Sequence, residues 1–407
     1  MCDEARPVLS VEQALDQVLA AVHVLEPEQV DLLEALGRVL AEEVRADRHI
    51  PPLANAAMDG YAVRAADLDT KAPVRLQVVG QSPAGQVSAL RVGPGQAIRI
   101  MTGAPLPAGA DTVVQFEHTR AEGQWVEVLK PPPAGANVRP AGEDVQAGEV
   151  VLRPGKRLRP QEIGMLAALG HLHVSVARQP RVAILATGDE VVPPDEAPGP
   201  GQIRDANSYT VAAQVVRWGG VPILLGVARD REELVRRGVR EALTRRADLI
   251  VTSGGVSVGD FDLVKRVLAA EGEMRFWSLA MKPGRPLAFG VVSGVPLLGL
   301  PGNPVAAMIS MELFGRPALL KMQGCADGWR PSVRARLGEP VEHRDRRRHY
   351  LRVRLRPGAD GVLEATLTGN QGSGILRSLV EADGLLIVPE ESARLEAGAL
   401  VDVMLLD

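Results

Sequence analysis

From Arg181 onward the chain alternates short apolar runs with amphipathic ones, and this limits its fold more than any other feature. Val182 to Ala186 reads as a buried strand and Asn207 to Trp218 as a helix closed by Gly219-Gly220. Val221 to Val227 is a second strand and Arg231 to Arg245 a second helix. Leu249 to Thr252 runs into a Gly/Ser loop, a helix follows from Asp262 to Ala270, two more strands come next, and a helix runs from Pro304 to about Lys321. Such alternation predicts a mostly parallel sheet with helices on both faces. A sheet of this kind takes ligands at the C-terminal ends of its strands, so a site is expected along that edge.

The flanking segments differ. Val11, Leu15, Val18, Leu19 and Val22 fall on one face of a helix over Ser10 to Leu25, opened by a capping box of Ser10 and Gln13. A second helix is predicted over Asp31 to Val44, with Asp31 as cap, and a third over Gly155 to Gly170, placed to pack with the first. Between Ile50 and Val145, β-branched runs (Val74–Val79, Ala97–Met101, Thr112–Phe116, Trp125–Leu129) separated by Gly and Pro predict a small β domain. After Gly324, the runs Val333–Leu337, Arg348–Leu355, Leu363–Thr368, Gly384–Val388 and Leu400–Leu405 predict a small barrel or sandwich. At 407 residues, two to four domains are expected, taking about 150 residues each.

Charge and composition exclude some classes. A net charge of -4 gives no push toward nucleic acid or an anionic membrane. No apolar run approaches the roughly 18 residues of a membrane span. Cys2 and Cys325 are too few for a four-cysteine zinc site or a disulfide framework, so a reducing, cytoplasmic setting is expected.

The candidate chemistry sits at strand ends. Thr252 to Asp260 follows a strand and precedes a helix; the backbone N–H groups of Gly254 and Gly255 and the Ser257 hydroxyl suit an anion. Glu190, beside Asp189, Asp230, and Asp262, beside Asp260, form three acidic sites. Singly, each reads as readily as a solvated turn. Their convergence on one sheet edge favours Mg²⁺, which takes a few carboxylates plus phosphate oxygens. Lys282 and Arg285 flank a tight turn and suit an oxyanion. Pro301 to Pro304 is a rigid helix entrance. No GxSxG or HExxH motif and no catalytic cysteine is present.

With these motifs assembled, the chain resembles the MoeA family of molybdopterin molybdenumtransferases, which includes the corresponding domain of gephyrin. The matching stretches are AMDGYAV (56–62), RIMTGAPLP (99–107), RPAGED (139–144), ATGDE (186–190), ARD (228–230), SGGVSVGDFD (253–262), MKPGRP (281–286), LPGNPV (300–305) and GSGIL (372–376). The resemblance implies an α/β multidomain, elongated four-part protomer. Residues 1–48 plus 146–178 would form a helical and extended dimerisation domain, and 49–145 a β-rich domain. Residues 179–325 would form a three-layer α/β/α (MoaB/Mog-like) domain, and 326–407 a C-terminal β-barrel.

It further implies a homodimer, with the site between one subunit's α/β domain and the other's β domain. The implied reaction is insertion of molybdenum from molybdate into adenylyl-molybdopterin with Mg²⁺, releasing AMP. A molybdopterin adenylyltransferase is a candidate partner. The family pattern places Asp59, Thr102, Asp144, Glu190 and Lys282 in catalysis. Gly254, Gly255, Ser257, Asp230, Arg285, Pro301, Pro304, Arg352 and Ser373 would bind substrate, and Glu190, Asp230 and Asp262 the metal. Ser278 departs from the pattern, standing where many relatives carry Lys or Arg; Arg275 and Arg285 are the candidates to cover that charge. The rival readings are adenylyl transfer to molybdopterin and a non-enzymatic scaffold.

Overall fold

The predicted capping box forms: Gln13 N–H donates to Ser10 Oγ at 3.2 Å and Ser10 N–H to Gln13 Oε1 at 3.0 Å, opening α1 (Val11–Ala20). A cap of this type stabilises a helix by about 1 kcal/mol. The computed structural model describes residues 8–68, 73–255, 263–325, 330–343 and 345–406. They fall into two units, one of residues 1–41, 154–164 and 171–407, the other of 42–153 and 165–170.

In the larger unit, the elements are β1 (Arg181–Thr187), α2 (Asn207–Arg217), β2 (Val221–Ala228), α3 (Glu232–Thr244), β3 (Leu249–Ser253) and α4 (Leu263–Glu271). Then come β4 (Gly272–Ser278), β5 (Pro286–Val292), β6 (Val295–Leu300), α5 (Pro304–Ser310) and α6 (Arg316–Met322). The sheet order is β2-β1-β3-β6-β5-β4; the first four strands are parallel, while β5 runs antiparallel to both its neighbours.

Alternate residues of one strand serve opposite cores. Val182 and Ile184 pack with Val211 and Val215 of α2 and Val305 and Ile309 of α5. Ala183 and Leu185 pack with Val235 and Val239 of α3 and Val267 of α4. Burial on both faces is why β1 reads as an unbroken apolar run, and the result is the expected three-layer α/β/α domain. The order 2-1-3 places a topological switch point between β1 and β3, where a crevice opens.

Three sequence expectations change here. The helix over Asp31 to Val44 is absent. Pro27–Asp31 is a strand paired with His173–Ala177, and the chain after it makes turns, with Ala35 N–H donating to Asp31 O at 3.1 Å and Arg38 N–H to Ala35 O at 3.0 Å. Gly37, at φ 76°, donates to Leu158 O and turns the chain away, which leaves Leu33 and Leu36 exposed. Pairing with a distant strand overrides a local cap signal. Likewise, the core partners of α1 are the Met311–Gly315 turn and Ala318, Leu319 and Met322 of α6, rather than the helix near residue 160. The long helix from Pro304 is also divided: a π-helical turn at Met311–Gly315 separates α5 from α6, and Pro317, which has no N–H to give, sits in the first turn of α6.

The C-terminal part closes on itself. Strands β7 (Ser332–Leu337), β8 (Arg348–Pro357), β9 (Leu363–Leu367), β10 (Gly384–Val388) and β11 (Leu400–Leu405) run in the order β9-β8-β10-β11-β7, and β7 pairs back with β9. This is a five-stranded barrel, so the barrel-or-sandwich alternative resolves to a barrel.

The smaller unit holds a six-stranded sheet in the order Thr112–Gln115, Gly60–Val63, Gln96–Ile100, Val74–Ser82, Trp125–Val128 and Thr119–Glu122. Gly60 is required there: a Cβ would lie 2.0 Å from Val114 O.

Candidate active site

Two cavities of the larger unit meet at Pro286, Pro301 and Asn303. The first, about 600 Å³, occupies the crevice at the ends of β1 and β3. Its floor depends on glycine. Gly254 (φ 91°) comes so close to β1 that a Cβ would lie 2.4 Å from Thr187 O. Asn207, in the first turn of α2, ties the walls: its Nδ2 donates to Ser253 Oγ at 2.7 Å and to Gly302 O at 2.8 Å. Asp205, buried, caps Ser208 N–H at 3.0 Å, while Pro301 and Pro304 stiffen the opposite side.

The rim of this crevice is acidic. Glu190 lines it, with Asp189 adjacent and Asp230 at the end of β2, where Asp230 N–H donates to Asp189 Oδ1 at 3.3 Å. The Asp230 carboxyl is on open surface, yet partial desolvation pushes its pKa up, and the charges of Asp189 and Glu190 push the same way against a backbone hydrogen bond. Among the described residues no Lys or Arg pairs with Glu190 or Asp230. Carboxylates crowded without a counter-cation fit a hard divalent ion such as Mg²⁺.

The second cavity, about 660 Å³, lies where the Met281–Arg285 turn meets the barrel, and it is basic. Lys282, Arg285, Arg347, His349 and Arg352 line it, with Glu342 as the carboxylate of the lining. The strand Met281–Lys282 pairs with the start of β8, which sets Lys282 opposite His349. Arg352 is fully buried. Its Nε donates to Ser378 Oγ at 3.0 Å and Nη2 to Gly372 O at 3.1 Å, but Nη1 has no partner. Burial lowers its pKa to about 10, so it keeps its charge near neutrality. A buried guanidinium with an unused donor beside a cavity suits an anion. Ser373 joins the wall and accepts Asn303 Nδ2 at 3.0 Å, linking the barrel loop to the Pro301–Pro304 entrance.

Behind Lys282 stands Asp345, 3.8 Å from the ammonium, which also takes His349 Nε2 at 2.6 Å and the Arg347 guanidinium. Partial burial disfavours its charge, but the Arg347 and His349 hydrogen bonds win and hold it well below the carboxylate range. His343, Asp345 and His349 offer three ligand atoms within 4.8 Å of one another. Hydrogen bonds already engage them, including His343 Nε2 with Arg347 O at 2.6 Å, and two cations adjoin Asp345, which disfavours a metal there.

Comparison with known proteins shows the family. A profile of the MoeA N-terminal region (domain I and II) matches residues 9–170, a probable molybdopterin binding domain matches 183–321, and the MoeA C-terminal region (domain IV) matches 334–406. A molybdopterin molybdenumtransferase of Nostoc sp. is 38% identical over 98% of this chain and 94% of its own length. One of Haemophilus influenzae is 34% identical over 97% of this chain and 98% of its own. The chain belongs to the MoeA family. A molybdopterin biosynthesis MoeA protein of Pyrococcus horikoshii shares the fold with a TM-score of 0.85 at 35% identity, covering 98% of this chain and all of that one.

Within this MoeA chain the predicted residues fall into three groups. Glu190, Gly254, Gly255, Pro301 and Pro304 line the crevice, with Asp230 near its rim. Lys282, Arg285, Arg352 and Ser373 line the basic cavity, which Pro301 also borders. Asp59, Thr102 and Asp144 belong to the smaller unit. There Thr102 N–H and Oγ1 both donate to Asp59 Oδ1 at 2.7 Å, while Asp144 is exposed and its N–H donates to Ile50 O at 3.0 Å. The Thr102 bonds hold the Asp59 carboxyl below its ordinary pKa. Ser257 and Asp262 lie outside the described residues. Ser278 ends edge strand β4, where its carbonyl accepts Leu9 N–H at 3.2 Å; of its two candidate substitutes, Arg285 is in the cavity wall and Arg275 is not. Asn207 and His349 escaped the sequence reading. For Asn207 a signal existed, since Asp205 and Ser208 mark a capped helix start at the edge where ligands bind.

No helix among the described residues is long and apolar enough to cross a membrane.

Proposed function

We propose that this chain inserts molybdenum from molybdate into adenylyl-molybdopterin, with Mg²⁺, and releases AMP as molybdenum cofactor forms. The observation that carries this reading is the Arg352 guanidinium, buried at the wall of a basic cavity beside an acidic crevice. Molybdate and a phosphoanhydride are both oxyanions, and the two cavities supply the two kinds of charge that such substrates require.

In this reading Lys282, Arg285 and Arg352 collect molybdate, with Ser373 giving a neutral hydroxyl. The Gly254 and Gly255 loop and the Gly302–Asn303 entrance line the crevice for the adenylylated pterin. Asn207 holds the two sides at fixed separation. Glu190 and Asp230 would hold Mg²⁺, joined by Asp262. Bound there, the ion would neutralise charge developing on the phosphoanhydride as AMP leaves. Molybdenum is carried as substrate, so no cysteine ligand is needed; the pterin dithiolene supplies the sulfurs.

A homodimer is part of this proposal, in which Asp59, Thr102 and Asp144 would serve the crevice of a second copy. A molybdopterin adenylyltransferase would be the partner that delivers the substrate.

The test is AMP release from adenylyl-molybdopterin and Mg²⁺, with and without molybdate. Molybdate-dependent release with molybdenum retained on the pterin is expected. Release that ignores molybdate, or none from folded, substrate-bound protein, would overturn the proposal. Consumption of ATP with molybdopterin in the absence of molybdate would instead favour the adenylyltransferase.

A further inference from the structure

One titratable ring in the basic wall has no part in the reaction described above. His349, buried on β8 and in register with Lys282, gives its Nε2 to Asp345 Oδ1 at 2.6 Å. Asp345 is ionised, so the neutral ring keeps its proton on Nε2, a tautomer assigned from this hydrogen bond. Nδ1 is then a bare acceptor, and it has no partner among the described residues.

The groups facing the ring set its charge preference. Lys282 and Arg285 come from the turn before β5, Arg347 from the turn before β8, and Arg352 from β8 itself. His343 packs edge-on, with ring centroids 4.4 Å apart. Among the described residues, Asp345 and Glu342 oppose this positive set. Burial lowers the pKa of His349, His343 and Lys282 add to that effect, and Asp345 works against it. A bound dianion would offset this positive excess and favour the charged ring.

We infer that His349 is a further oxyanion ligand of this cavity, one that takes up a proton as the anion binds and then presents a second N–H from the wall. This rests on the reading of the cavity as the molybdate pocket. The only chemical change is imidazole plus one solvent proton becoming imidazolium. Because burial and the flanking cations favour the neutral ring and a bound anion favours the charged one, binding consumes protons. Affinity must therefore rise as pH falls between the two pKa values and fall as pH rises.

The experiment is calorimetric titration of inorganic molybdate into the intact chain, in buffers of different ionisation enthalpy, from roughly pH 6 to 8.5, the range in which histidine titrates. Uptake of close to one proton is expected, with Kd weakening by up to about tenfold per pH unit. The proton count needs no variant, so it stands even if a substituted chain fails to fold. His349→Gln keeps an N–H for Asp345 and should flatten the profile. Lys282→Ala should weaken binding at every pH and, by relieving its repulsion of the charged ring, narrow the pH-dependent range without abolishing it.

A pH-independent wild-type Kd, or an unchanged slope in His349→Gln, would overturn the inference while leaving the pocket intact. Stoichiometric Zn²⁺ held by the wild type and lost in His349→Gln would also overturn it, by assigning the ring to a metal. If Lys282→Ala and Arg352→Met both leave molybdate affinity untouched, the underlying reading of the cavity fails as well.

Discussion

The two adjoining cavities are nearly equal in volume, about 600 and 660 Å³, and opposite in character. The crevice gets its place from sheet topology, since it opens at the strand ends where a parallel sheet reverses its winding order, and here glycine turns and carboxylates line it. The basic cavity owes nothing to that rule. Its cations come from a turn of the α/β domain and from a barrel strand, joined through the short pairing of Met281–Lys282 with β8. One fold edge thus gathers carboxylates, and a second, assembled by tertiary contact, gathers cations.

The comparison would break first at Arg352. Arg352→Met removes the buried charge and its unused donor and nearly fills the same space. Molybdate-dependent AMP release should drop by about 10²–10³-fold, the usual loss for one preorganised donor to a developing or bound anion. Circular dichroism should show the fold retained. Wild-type release in a folded variant would mean that the guanidinium is only a barrel brace for Ser378 and Gly372.

Glu190→Ala tests the other cavity and should lower AMP release by about a hundredfold, as several kcal/mol of charge stabilisation is lost. The discriminating readout is the Mg²⁺ titration. The activating concentration should rise while the KM for molybdate stays within about twofold, since the anion binds elsewhere. Lys282→Ala should show the converse, a KM for molybdate raised by about tenfold with an unchanged Mg²⁺ requirement. The smaller effect follows from its exposure; its ammonium is more than half open and its Asp345 contact is loose. If both variants moved both parameters, the two cavities would be one site.

The same contrast explains what could be read in the sequence. The α/β sheet was legible because a strand buried on both faces leaves an unbroken apolar run, as in Val182–Ala186. The crevice followed, since its residues sit next to those runs. The barrel strands were legible from alternation, but their closure was not, because closure is a pairing of β7 with β9. The basic wall appeared only in fragments. Lys282 and Arg285 are neighbours, whereas Arg352 and Ser373 came from family resemblance alone. His349 looked like any strand residue, and only its register with Lys282 brings it to the cavity. Local signals also misled: the Asp31 cap predicted a helix that Gly37 and a distant strand prevent.

The smaller unit offers the finest test, because its candidate acid is tuned by hydrogen bonding rather than by burial or charge. Thr102 gives Asp59 Oδ1 two bonds of equal length, one from its hydroxyl and one from its backbone. Both favour the ionised carboxylate, the hydroxyl first, and Arg99 adds a weaker pull. A lowered pKa means that Asp59 stays charged further into acid. Thr102→Val keeps the backbone bond and the shape but removes the hydroxyl, so the Asp59 pKa should rise toward its ordinary value. Carbon-detected NMR titration of the Asp59 carboxyl measures this directly. If Asp59 serves the reaction as a carboxylate, the acid limb of the pH–rate profile should move upward by the same amount, with turnover near neutrality changed by no more than about threefold. A shifted titration with an unmoved acid limb would remove Asp59 from the reaction. An unmoved titration would show that the backbone N–H alone sets its charge.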